Sequence, residues 1–591
     1  MVEYELMRTL IKDSIDFIGK EIVVMGWVHS RRDHGGLIFI DLRDHSGLLQ
    51  LVINPDNHES FKISEGLRDE FVISVNGKVK NRDKDLINPK IATGKIELVV
   101  NSIEVLNTSE SLPISLFSEN ESSEEQRFKY RYLDLRTNKS QEILKKRAEF
   151  YRILRKYMDS NDFTEVTTPV LANSSPEGAR DFLVPSRIHP GKFYALPQSP
   201  QQFKQLLMVG GLYRYYQIAT SFRDEDPRAD RLYGDFYQLD IEMSFVTDGE
   251  EVRTITEPLI KDLVLNFAKK KLFFKDIPRI SYKEALDLYG TDKPDLRYDL
   301  KLVDVSDIFK KSNFSVFKSA LQNGGVVKAI NLKKAASFFT RSQIDQYTEL
   351  ALKEGAKGLA YIIMENDEMR SPILKFLSEE EVSQLKKETN LENGDLIFFG
   401  ADKKELVNEV LGKVRDKAGD DLNLKDPNEV AIAWIVDFPL YEWNDNEQRL
   451  DFGHNPFSMP KGGAAALKTD DKLSIVADQY DMVMNGYEIC SGAVRNHHPE
   501  IMYKVFEAIG YQKDFVDKRF GAMVNAFKYG APPHAGCAFG IDRIFMILLN
   551  QDNVREIVAF PKNGSGVDLM MNSPSEIDDS QLKELSLRTI L

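Results

Sequence analysis

The sequence predicts a multidomain α+β protein, because the 591-residue chain changes its pattern of apolar residues several times. Short strand patterns fill residues 1–107, strands and amphipathic helices alternate in residues 141–294 and 423–560, and residues 295–422 differ in texture from both. At roughly 150 residues per domain, the length allows about four domains. We therefore expect a small β domain, a larger α+β domain and an α+β module inserted into the larger one.

The first domain is predicted from short strands that turn formers separate. Asp33-His34-Gly35-Gly36 and His45-Ser46-Gly47 are typical of turns. Five strands in about 100 residues fit a small closed barrel; the five-stranded OB-fold is one candidate, and another small β domain is the alternative. The five runs are Ile22–Val28, Leu37–Leu42, Leu48–Ile53, Phe71–Val75 and Ile96–Val100.

The next segment is predicted to connect this domain to a helix. Residues 108–140 are mostly polar and read as a hinge or linker, most clearly from Ser109 to Arg127. Apolar residues then recur at helical spacing from Glu142 to Met158. Phe163 to Pro169 reads as a strand that proline closes.

The inserted module, residues 295–422, alternates β runs with charged helical segments such as Glu379–Glu388. It contains no candidate pair of nucleophile and base. After it, the apolar run Val430–Val436 is far too short to cross a bilayer and predicts a buried strand. Residues 561–591 are predicted as a C-terminal extension. The β runs of the module are Gly325–Ile330, Leu359–Met364 and Leu396–Phe399.

The composition excludes some functions. With 78 Lys and Arg against 92 Asp and Glu, the net charge is −14, which disfavours a generic nucleic-acid coat protein. A nucleic-acid partner stays possible, because it needs only a local basic face. The two cysteines, Cys490 and Cys537, predict free thiols in a reducing compartment, and no Cys/His spacing fits zinc. Without a secretory signal or membrane span, the chain is predicted to be cytoplasmic.

One candidate nucleotide-binding segment is a strand–loop–strand. The strand Tyr216–Ala219 leads into Phe222-Arg223-Asp224-Glu225, and Phe236–Glu242 returns after the polar loop Arg228–Arg231. The planar guanidinium of Arg223 can donate paired hydrogen bonds to an α-phosphate, and an aromatic on the second strand can stack on a purine. Taken alone, the segment could equally be a solvated charge run.

A second candidate is the segment from Gly536 to Ile544. A strand of small residues that includes Gly540 leads into an apolar helix, with Arg543 near the start of the helix. Glycine allows a nucleotide to approach the backbone closely, and anions are favoured at helix N-termini. The alternative is an ordinary strand–helix junction with a surface arginine.

Together these segments resemble a known family. Thr167-Thr168-Pro169, Phe222-Arg223-Asp224-Glu225 and Gly540-Ile541-Asp542-Arg543 stand in the order and spacing of the three class II aminoacyl-tRNA synthetase motifs. The aspartate enzymes in particular are resembled by three segments: Ser175–Phe182, Gln198–Met208, and Asp481–Glu488 with Arg495. The resemblance covers essentially the whole chain. Residues 295–422 resemble the inserted module of the bacterial members. The resemblance implies an OB-fold anticodon-binding domain, an antiparallel-sheet catalytic domain and a homodimer with Pro169 near its interface.

The resemblance also implies a ligase that makes aspartyl-adenylate from ATP and L-aspartate, with Mg²⁺, and transfers the aspartate to tRNA. Arg223, Glu225 and Arg543 would be catalytic, and Asp481 and Glu488 would hold Mg²⁺. The residues implied to contact ATP are Arg223, Asp224, Glu225, Phe236, Glu488, Gly540, Ile541, Asp542 and Arg543, and those implied to contact aspartate are Glu177, Gln201, Lys204, Arg223, Asp240, His454 and Arg495.

By the same resemblance, the barrel would read the anticodon of tRNA(Asp). Unpaired bases are recognised by stacking and by hydrogen bonds to their edges. Phe39 is the candidate stacking residue, although a place in the barrel core is the alternative because it lies in an apolar run. The other candidates are Arg32, His34, Gln50, Arg68 and Arg82.

Three positions depart from the family pattern. Leu232-Tyr233-Gly234-Asp235 is one residue longer than usual, which puts an ATP contact at position 232 in doubt. Asn455 stands where some members carry a second histidine. His34 stands where enzymes strict for tRNA(Asp) often carry leucine, so we expect the non-discriminating type, which also charges tRNA(Asn); the strict type is the alternative.

Three other functions are weaker candidates. An asparaginyl- or lysyl-tRNA synthetase shares the architecture, but Lys204, Arg495 and the inserted module disfavour both. A tRNA-binding relative without catalysis is disfavoured by the intact catalytic residues. An amide ligase on the same fold is disfavoured by the barrel.

Overall fold

A computed structural model describes residues 8–117, 122–174, 179–444 and 447–590. It divides into two compact units, which meet in sequence between Ser122 and Ser123. Among the described residues, no helix combines the length and the apolar character that a membrane crossing requires. Both cysteines are buried and free, as predicted.

The first unit is a closed five-stranded barrel, which confirms the predicted OB-fold. Its strands lie in the order β1-β2-β3-β5-β4, and only the β3–β5 pair is parallel. Alternate residues such as Val24, Ile40 and Leu98 are fully buried, because a strand points every second side chain to the inside. The elements are β1 (Glu21–His34), β2 (Leu37–Asp44), β3 (Gly47–Ile53), α1 (His58–Glu65), β4 (Val72–Asn81) and β5 (Ile96–Asn107).

The second unit begins with helices where the sequence predicts a linker. The second half of the predicted linker is therefore wrong: Arg127 pairs with Glu556 at 2.6 Å, and Arg131 donates to the backbone of residues 558 and 559. These charged side chains are bound within the unit rather than solvated. The elements are α2 (Glu124–Lys129), α3 (Arg131–Asp134) and α4 (Asn138–Ser160).

Helix α4 confirms the predicted helix and extends it at both ends. Thr137 caps it by accepting from the backbone of Ser140, and Phe150, Leu154 and Met158 are buried on one face at four-residue spacing. The predicted strand after it is shorter, since within Phe163–Pro169 the strand covers Thr164 and Glu165. The next elements are β6 (Thr164–Glu165), β7 (Leu183–Pro185), β8 (Phe193–Ala195), α5 (Gln201–Val209), β9 (Arg214–Arg223), β10 (Gly234–Ser244), α6 (Gly249–Asp262), β11 (Lys271–Leu272), β12 (Arg279–Ser281) and α7 (Tyr282–Tyr289).

The inserted module has its own antiparallel sheet, in the order β13-β14-β17-β15-β16. Both faces of this sheet are buried: Ile330 and Phe398 pack in one apolar cluster, and Ala329 and Phe399 in another. Burial on both faces explains its unbroken apolar runs. The elements are β13 (Leu302–Asp304), α8 (Ser306–Phe309), α9 (Ser315–Gln322), β14 (Val326–Leu332), α10 (Arg341–Lys353), β15 (Ala360–Glu365), β16 (Glu368–Arg370), α11 (Glu379–Glu388), β17 (Leu396–Asp402) and α12 (Lys404–Asp421).

The rest of the chain completes the central sheet, in the order β12-β19-β22-β23-β24-β10-β9-β6. The predicted strand Val430–Val436 is interrupted at Ala431, whose N–H donates to the side chain of Asn485 at 2.8 Å. The sheet is antiparallel except for the pairs at its two ends. The elements are β18 (Glu429–Val430), β19 (Ile432–Val436), β20 (Tyr441–Asn444), β21 (Arg449–Phe452), β22 (Gln479–Met484), β23 (Tyr487–Val494), α13 (Pro499–Glu507), α14 (Lys513–Phe527), β24 (His534–Gly540), α15 (Ile541–Leu548) and α16 (Asp579–Glu584).

Candidate active site

A cavity of about 630 Å³ opens on the central sheet of the second unit. Most of the predicted catalytic, ATP and aspartate residues meet there, although they come from segments hundreds of residues apart. Those that line the cavity are Gln201, Lys204, Arg223, Glu225, Phe236, Asp240, His454, Asp481, Glu488, Arg495, Gly540, Asp542 and Arg543.

Of the other three predicted residues, two do not line the cavity and the third is not described. Ile541 is buried in the main apolar core, so its side chain is structural. Asp224 lies beside the cavity, where Oδ1 accepts a hydrogen bond from the hydroxyl of Tyr233 at 3.3 Å. Glu177 lies outside the described residues.

One end of the cavity holds two buried cations, Lys204 and Arg495, as the resemblance implies. Lys204 Nζ lies 3.0 Å from Asp240 Oδ1 and 3.4 Å from Glu242 Oε2. Arg495 donates from Nε and Nη2 to the two oxygens of Glu242, at 2.9 and 3.2 Å. The four side chains are at most 2% exposed. Such burial is tolerated because each charge has a partner.

Glu242 is a residue that the sequence analysis missed. It lies two residues after Asp240 in β10, so both carboxylates point to the same face of the sheet. That spacing could have indicated it. Burial alone would raise the pKa of Glu242, but Arg495 and Lys204 together lower it. Glu242 therefore stays charged and holds both cations in place.

Asp240 keeps one oxygen for a ligand. Burial raises the pKa of Asp240 more than its bond to Lys204 lowers it. Among the described residues, its Oδ2 atom has no hydrogen-bond partner although it is buried. A buried acceptor without a partner is costly, so a donor from a bound molecule fits this position.

The other end of the cavity holds the predicted nucleotide residues. Arg223 ends strand β9, and its guanidinium carbon lies 4.9 Å from the centre of the Phe236 ring. Arg543, in the first turn of α15, donates to Asp230 Oδ2 at 2.9 Å and to the carbonyl oxygen of Glu488. The sequence analysis did not select Asp230. Its carboxylate indicates that Arg543 faces a position suited to an anion.

Glu225 and Asp542 also have partners within the protein. Arg231 donates to Glu225 Oε2 at 2.6 Å across the loop. Asp542 accepts from Arg147 at 2.5 Å and from the backbone N–H of Tyr237 at 2.9 Å. Asp542 therefore ties α15 to α4 and β10, although its side chain lines the cavity.

The predicted metal residues lie on two paired strands. Asp481 in β22 and Glu488 in β23 flank the Asn485-Gly486 turn. Burial, and then the charge of Glu488, raise the pKa of Asp481 well above its usual value, and Asp481 Oδ1 has no hydrogen-bond partner among the described residues. A divalent cation would relieve both conditions. The described residues contain no cluster of three or more candidate ligand side chains.

His454 lies at the rim of the cavity. Its ring packs edge-on against Phe438, and its Nε2 atom lies 3.7 Å from Glu442 Oε1. Asn455, at the position where some relatives have a second histidine, accepts a hydrogen bond from the N–H of Phe457 at 2.8 Å. It therefore shapes the loop locally.

The loop before β10 ends at a glycine with a positive φ angle. Gly234 has φ +87°, which glycine adopts without strain, and it pairs with Arg223 at the start of β10. Leu232 lines the cavity but brings only an apolar side chain. Asp235 is bound by Lys562 at 2.9 Å, which ties the loop to the C-terminal extension.

The first unit places several anticodon candidates on one face of the barrel. Arg32 lies opposite Phe39, and Asp41 opposite Gln50. Phe39 is partly exposed whereas its neighbours Ile38 and Ile40 are buried, so the alternative of a barrel-core position is wrong.

The remaining anticodon candidates differ in setting. His34 is exposed at the end of β1, next to the Gly35-Gly36 turn. Arg82 is buried, and its Nε donates to the carbonyl oxygen of Ile96 at 2.9 Å. Arg68 is exposed in the connection between α1 and β4. No side-chain hydrogen bond or ion pair among the described residues joins Arg68 to the Phe39 face.

Two family models match the chain. Residues 123–564 match the tRNA synthetases class II (D, K and N), and residues 22–106 match the OB-fold nucleic acid binding domain. The chain is 50% identical to an "Aspartate--tRNA(Asp/Asn) ligase" from Chlorobaculum parvum over 576 residues, which is 98% of this chain and 95% of that protein. It is 49% identical to a protein of the same name from Rickettsia felis over 578 residues, 97% and 96% of the two chains.

Solved structures share the fold. A putative aspartyl-tRNA synthetase from Leishmania major matches with a TM-score of 0.59 and 19% identity, over 95% of this chain and 94% of the other. An asparaginyl-tRNA synthetase from Pyrococcus horikoshii in complex with asparaginyl-adenylate matches with a TM-score of 0.55 and 18% identity, over 92% and 95%. At these identities the likeness concerns the fold alone, and it includes enzymes for two amino acids.

Proposed function

The chain belongs to the class II tRNA synthetases of the D, K and N group, and from this premise we propose that it attaches L-aspartate to tRNA through an aspartyl-adenylate made from ATP. Relatives that are about 50% identical over nearly the full length of the chain are named aspartate–tRNA(Asp/Asn) ligases. The anticodon-type barrel and the cavity support the same function.

The buried pair Lys204 and Arg495 carries the proposal. An acidic amino acid needs cations around its side chain, and Lys204 and Arg495 are two buried cations that line the same cavity. Glu242 binds Arg495 through Nε and one hydrogen of Nη2, which leaves Nη1 and the second hydrogen of Nη2 as donors for a substrate carboxylate. The unpartnered oxygen of Asp240 is suited to the substrate ammonium group.

In the proposed reaction, an α-carboxylate oxygen of aspartate attacks the α-phosphorus of ATP, and the bond to pyrophosphate breaks. Arg223 would stabilise charge on the α-phosphate and Arg543 on the terminal phosphate, while Phe236 stacks on adenine. Asp481 and Glu488 would hold Mg²⁺, which neutralises phosphate charge when bound. The 3′-terminal ribose hydroxyl of tRNA then attacks the adenylate carbonyl and AMP leaves.

The two cations also set the specificity for the amino acid. A hydrogen bond to a charged group contributes about 1.5–3 kcal/mol, so two of them favour aspartate over asparagine by roughly 10²–10⁴-fold. ATP–pyrophosphate exchange with aspartate, asparagine and lysine in turn tests this. We expect exchange with aspartate alone. Exchange driven by a neutral or basic amino acid would overturn the proposal.

We further propose that the enzyme charges both tRNA(Asp) and tRNA(Asn). His34 is exposed next to a glycine turn, at the position that the resemblance assigns to the anticodon base by which the two tRNAs differ. The test is aminoacylation of each pure transcript. A rate on tRNA(Asn) more than about a thousandfold below that on tRNA(Asp), or roughly 4 kcal/mol, would favour the strictly discriminating alternative.

We also propose a homodimer, in which the segment at Pro169 lies at the interface. Pro169 is exposed, and the next two side chains, Val170 and Leu171, are 49% and 51% exposed. Adjacent exposed apolar side chains are typical of a protein contact. Analytical ultracentrifugation should give twice the mass of the 67.5 kDa chain, and a single-chain mass at micromolar concentration would contradict the proposal.

A further inference from the structure

Three side chains behind the aspartate end of the cavity form a continuous chain of hydrogen bonds. Gln201 Nε2 donates to Gln205 Oε1 at 2.9 Å, and the Gln205 amide nitrogen lies 3.0 Å from His534 Nε2. His534 Nδ1 lies 2.8 Å from the carbonyl oxygen of Pro532. Gln205 and His534 are fully buried, and of the three only Gln201 lines the cavity.

The direction of each bond follows from the carbonyl oxygen of Pro532. This oxygen can only accept, so His534 carries its hydrogen on Nδ1 and accepts at Nε2. Gln205 must therefore turn its NH₂ group to His534 and its oxygen to Gln201. Gln201 in turn gives its NH₂ group to Gln205. Its carbonyl oxygen is the end that remains for the cavity.

The same histidine also touches the segment that carries Arg495. The backbone carbonyl oxygen of His534 accepts from the N–H of Arg495 at 2.9 Å. On the other side, Lys204 directly precedes Gln205 in α5. The chain of hydrogen bonds thus links the helix that bears Lys204 to the strand end that bears Arg495.

We propose that Gln205 and His534 are specificity-determining positioning residues, which hold the Gln201 amide with its oxygen toward the α-ammonium group of bound aspartate. This inference rests on the proposed function. An amide oxygen accepts a hydrogen bond from an ammonium group, whereas an amide NH₂ group would oppose it. Because each hydrogen bond fixes the orientation of the next side chain, rotation of one amide reverses the donors and acceptors of all the bonds between Gln201 and His534.

Protonation of His534 is the event that would reverse it. A proton on Nε2 turns this acceptor into a donor that faces the NH₂ group of Gln205. Gln205 must then rotate, and Gln201 follows and turns its NH₂ group to the cavity. Burial lowers the pKa of His534, which keeps the ring neutral near neutral pH. The charged or titratable groups around the ring are Glu242 of β10, Lys204 of α5, and Arg495 and His497, which follow β23.

The test is the Michaelis constant, measured by ATP–pyrophosphate exchange, of the wild type and of Gln205→Met between pH 5 and 8. Without the hydrogen bond to Gln205, which we call the relay together with the bond between Gln205 and His534, the Gln201 amide samples both orientations. We therefore expect KM for aspartate to rise about two- to tenfold near pH 7.5, with KM for ATP unchanged. Once the pH falls below the lowered pKa of His534, the wild type should lose the correct orientation too, and the ratio of the two aspartate constants should fall toward one.

Tyr347→Phe is the matched control. The Tyr347 hydroxyl is buried in the inserted module and donates to Asp421 at 2.8 Å, so its loss removes one buried hydrogen bond away from the cavity. We expect both Michaelis constants of this variant to match the wild type. If KM for ATP rises in parallel in Gln205→Met, or if KM for aspartate does not rise near pH 7.5, the inference is wrong.

A second measurement needs no variant. Nitrogen-15 NMR of the histidine-labelled wild-type protein reports which ring nitrogen of each histidine carries hydrogen. We expect the Nδ1–H form for His534; the Nε2–H form would overturn the inference. Failure of the wild type to exchange with aspartate would reject the proposed function, whereas normal exchange with an unchanged Gln205→Met would reject only the relay.

Discussion

The two ends of the cavity hold their charges in different ways. At the aspartate end, Lys204, Arg495, Asp240 and Glu242 are at most 2% exposed. At the nucleotide end, Arg543 and Asp230 pair while 23% and 26% exposed. A buried ion pair is costly to break, whereas a pair open to water is worth little. The pairs around Lys204 and Arg495 are therefore preformed, whereas under the proposed function Arg543 would exchange the Asp230 carboxylate for a phosphate.

The largest effect on stability and activity is expected at the aspartate end, from Glu242→Gln. This change leaves Arg495 and Lys204 with one carboxylate between them, and breaking a buried pair costs about 3–5 kcal/mol. We expect urea denaturation to show a loss of that order and kcat/KM for aspartate to fall steeply. Glu392→Gln, which breaks an exposed pair with Lys333, is the control and should change neither. An unchanged stability of Glu242→Gln would remove the distinction between the two ends.

A second effect is expected from Asp481→Asn. The carboxylate of Asp481 is buried, repelled by Glu488 and partly unpartnered, so we expect the metal-free variant to be more stable by about 1–3 kcal/mol. Mg²⁺ with ATP should raise the melting temperature of the wild type and not that of the variant, which should lack exchange activity. Equal stabilisation of both proteins by Mg²⁺ and ATP would contradict the assignment of Asp481 as a metal residue.

Acid should lower the free energy of unfolding through His497, which lies next to Arg495 at the aspartate end. Burial lowers the pKa of His497 to about 4, and its Nδ1 atom lies 3.2 Å from the carbonyl oxygen of Arg495. An unfolded histidine titrates near pH 6.5, so the unfolded chain binds the extra proton between pH 6.5 and 4. The contribution of this group to stability is complete above pH 6.5 and is lost as the pH falls toward 4. After discounting for partial exposure, we expect about 1–2 kcal/mol.

The measurement is the urea midpoint at pH 7 and pH 5 for the wild type and for His497→Asn. The variant should lose less stability than the wild type between the two pH values. An identical loss in both proteins would mean that other groups cause the acid sensitivity.

The smallest effect on activity is expected at the nucleotide end, from Asp230→Asn. Without the carboxylate, Arg543 no longer needs to be released before it meets a phosphate. An exposed pair contributes up to about 1 kcal/mol, so KM for ATP should fall by no more than roughly fivefold. KM for aspartate should stay the same. A rise in KM for ATP would mean that Asp230 assists the nucleotide rather than competes with it.

The sequence predicted the parts of the fold that depend on local pattern. The five strands of the barrel and helix α4 follow from periodicity and turn residues, and both are confirmed. The linker prediction failed over residues 124–140, because polarity alone does not distinguish a solvated side chain from one bound to a partner such as Glu556. The sequence also left two placements for Phe39, on the barrel surface or in the core, because an unbroken apolar run does not show which residues point inward.

For the site, the sequence and its resemblance to the family predicted which side chains would bind phosphate, metal or an acidic substrate, because those chemistries belong to residue types at motif spacings. Only the tertiary structure decided their partners. Arg495 meets Glu242 across 253 residues of sequence, Arg543 meets Asp230 across 313, and Gln205 meets His534 across 329. Such pairs leave no local signature, because the need to neutralise a charge or satisfy a polar group arises only when folding removes both from water.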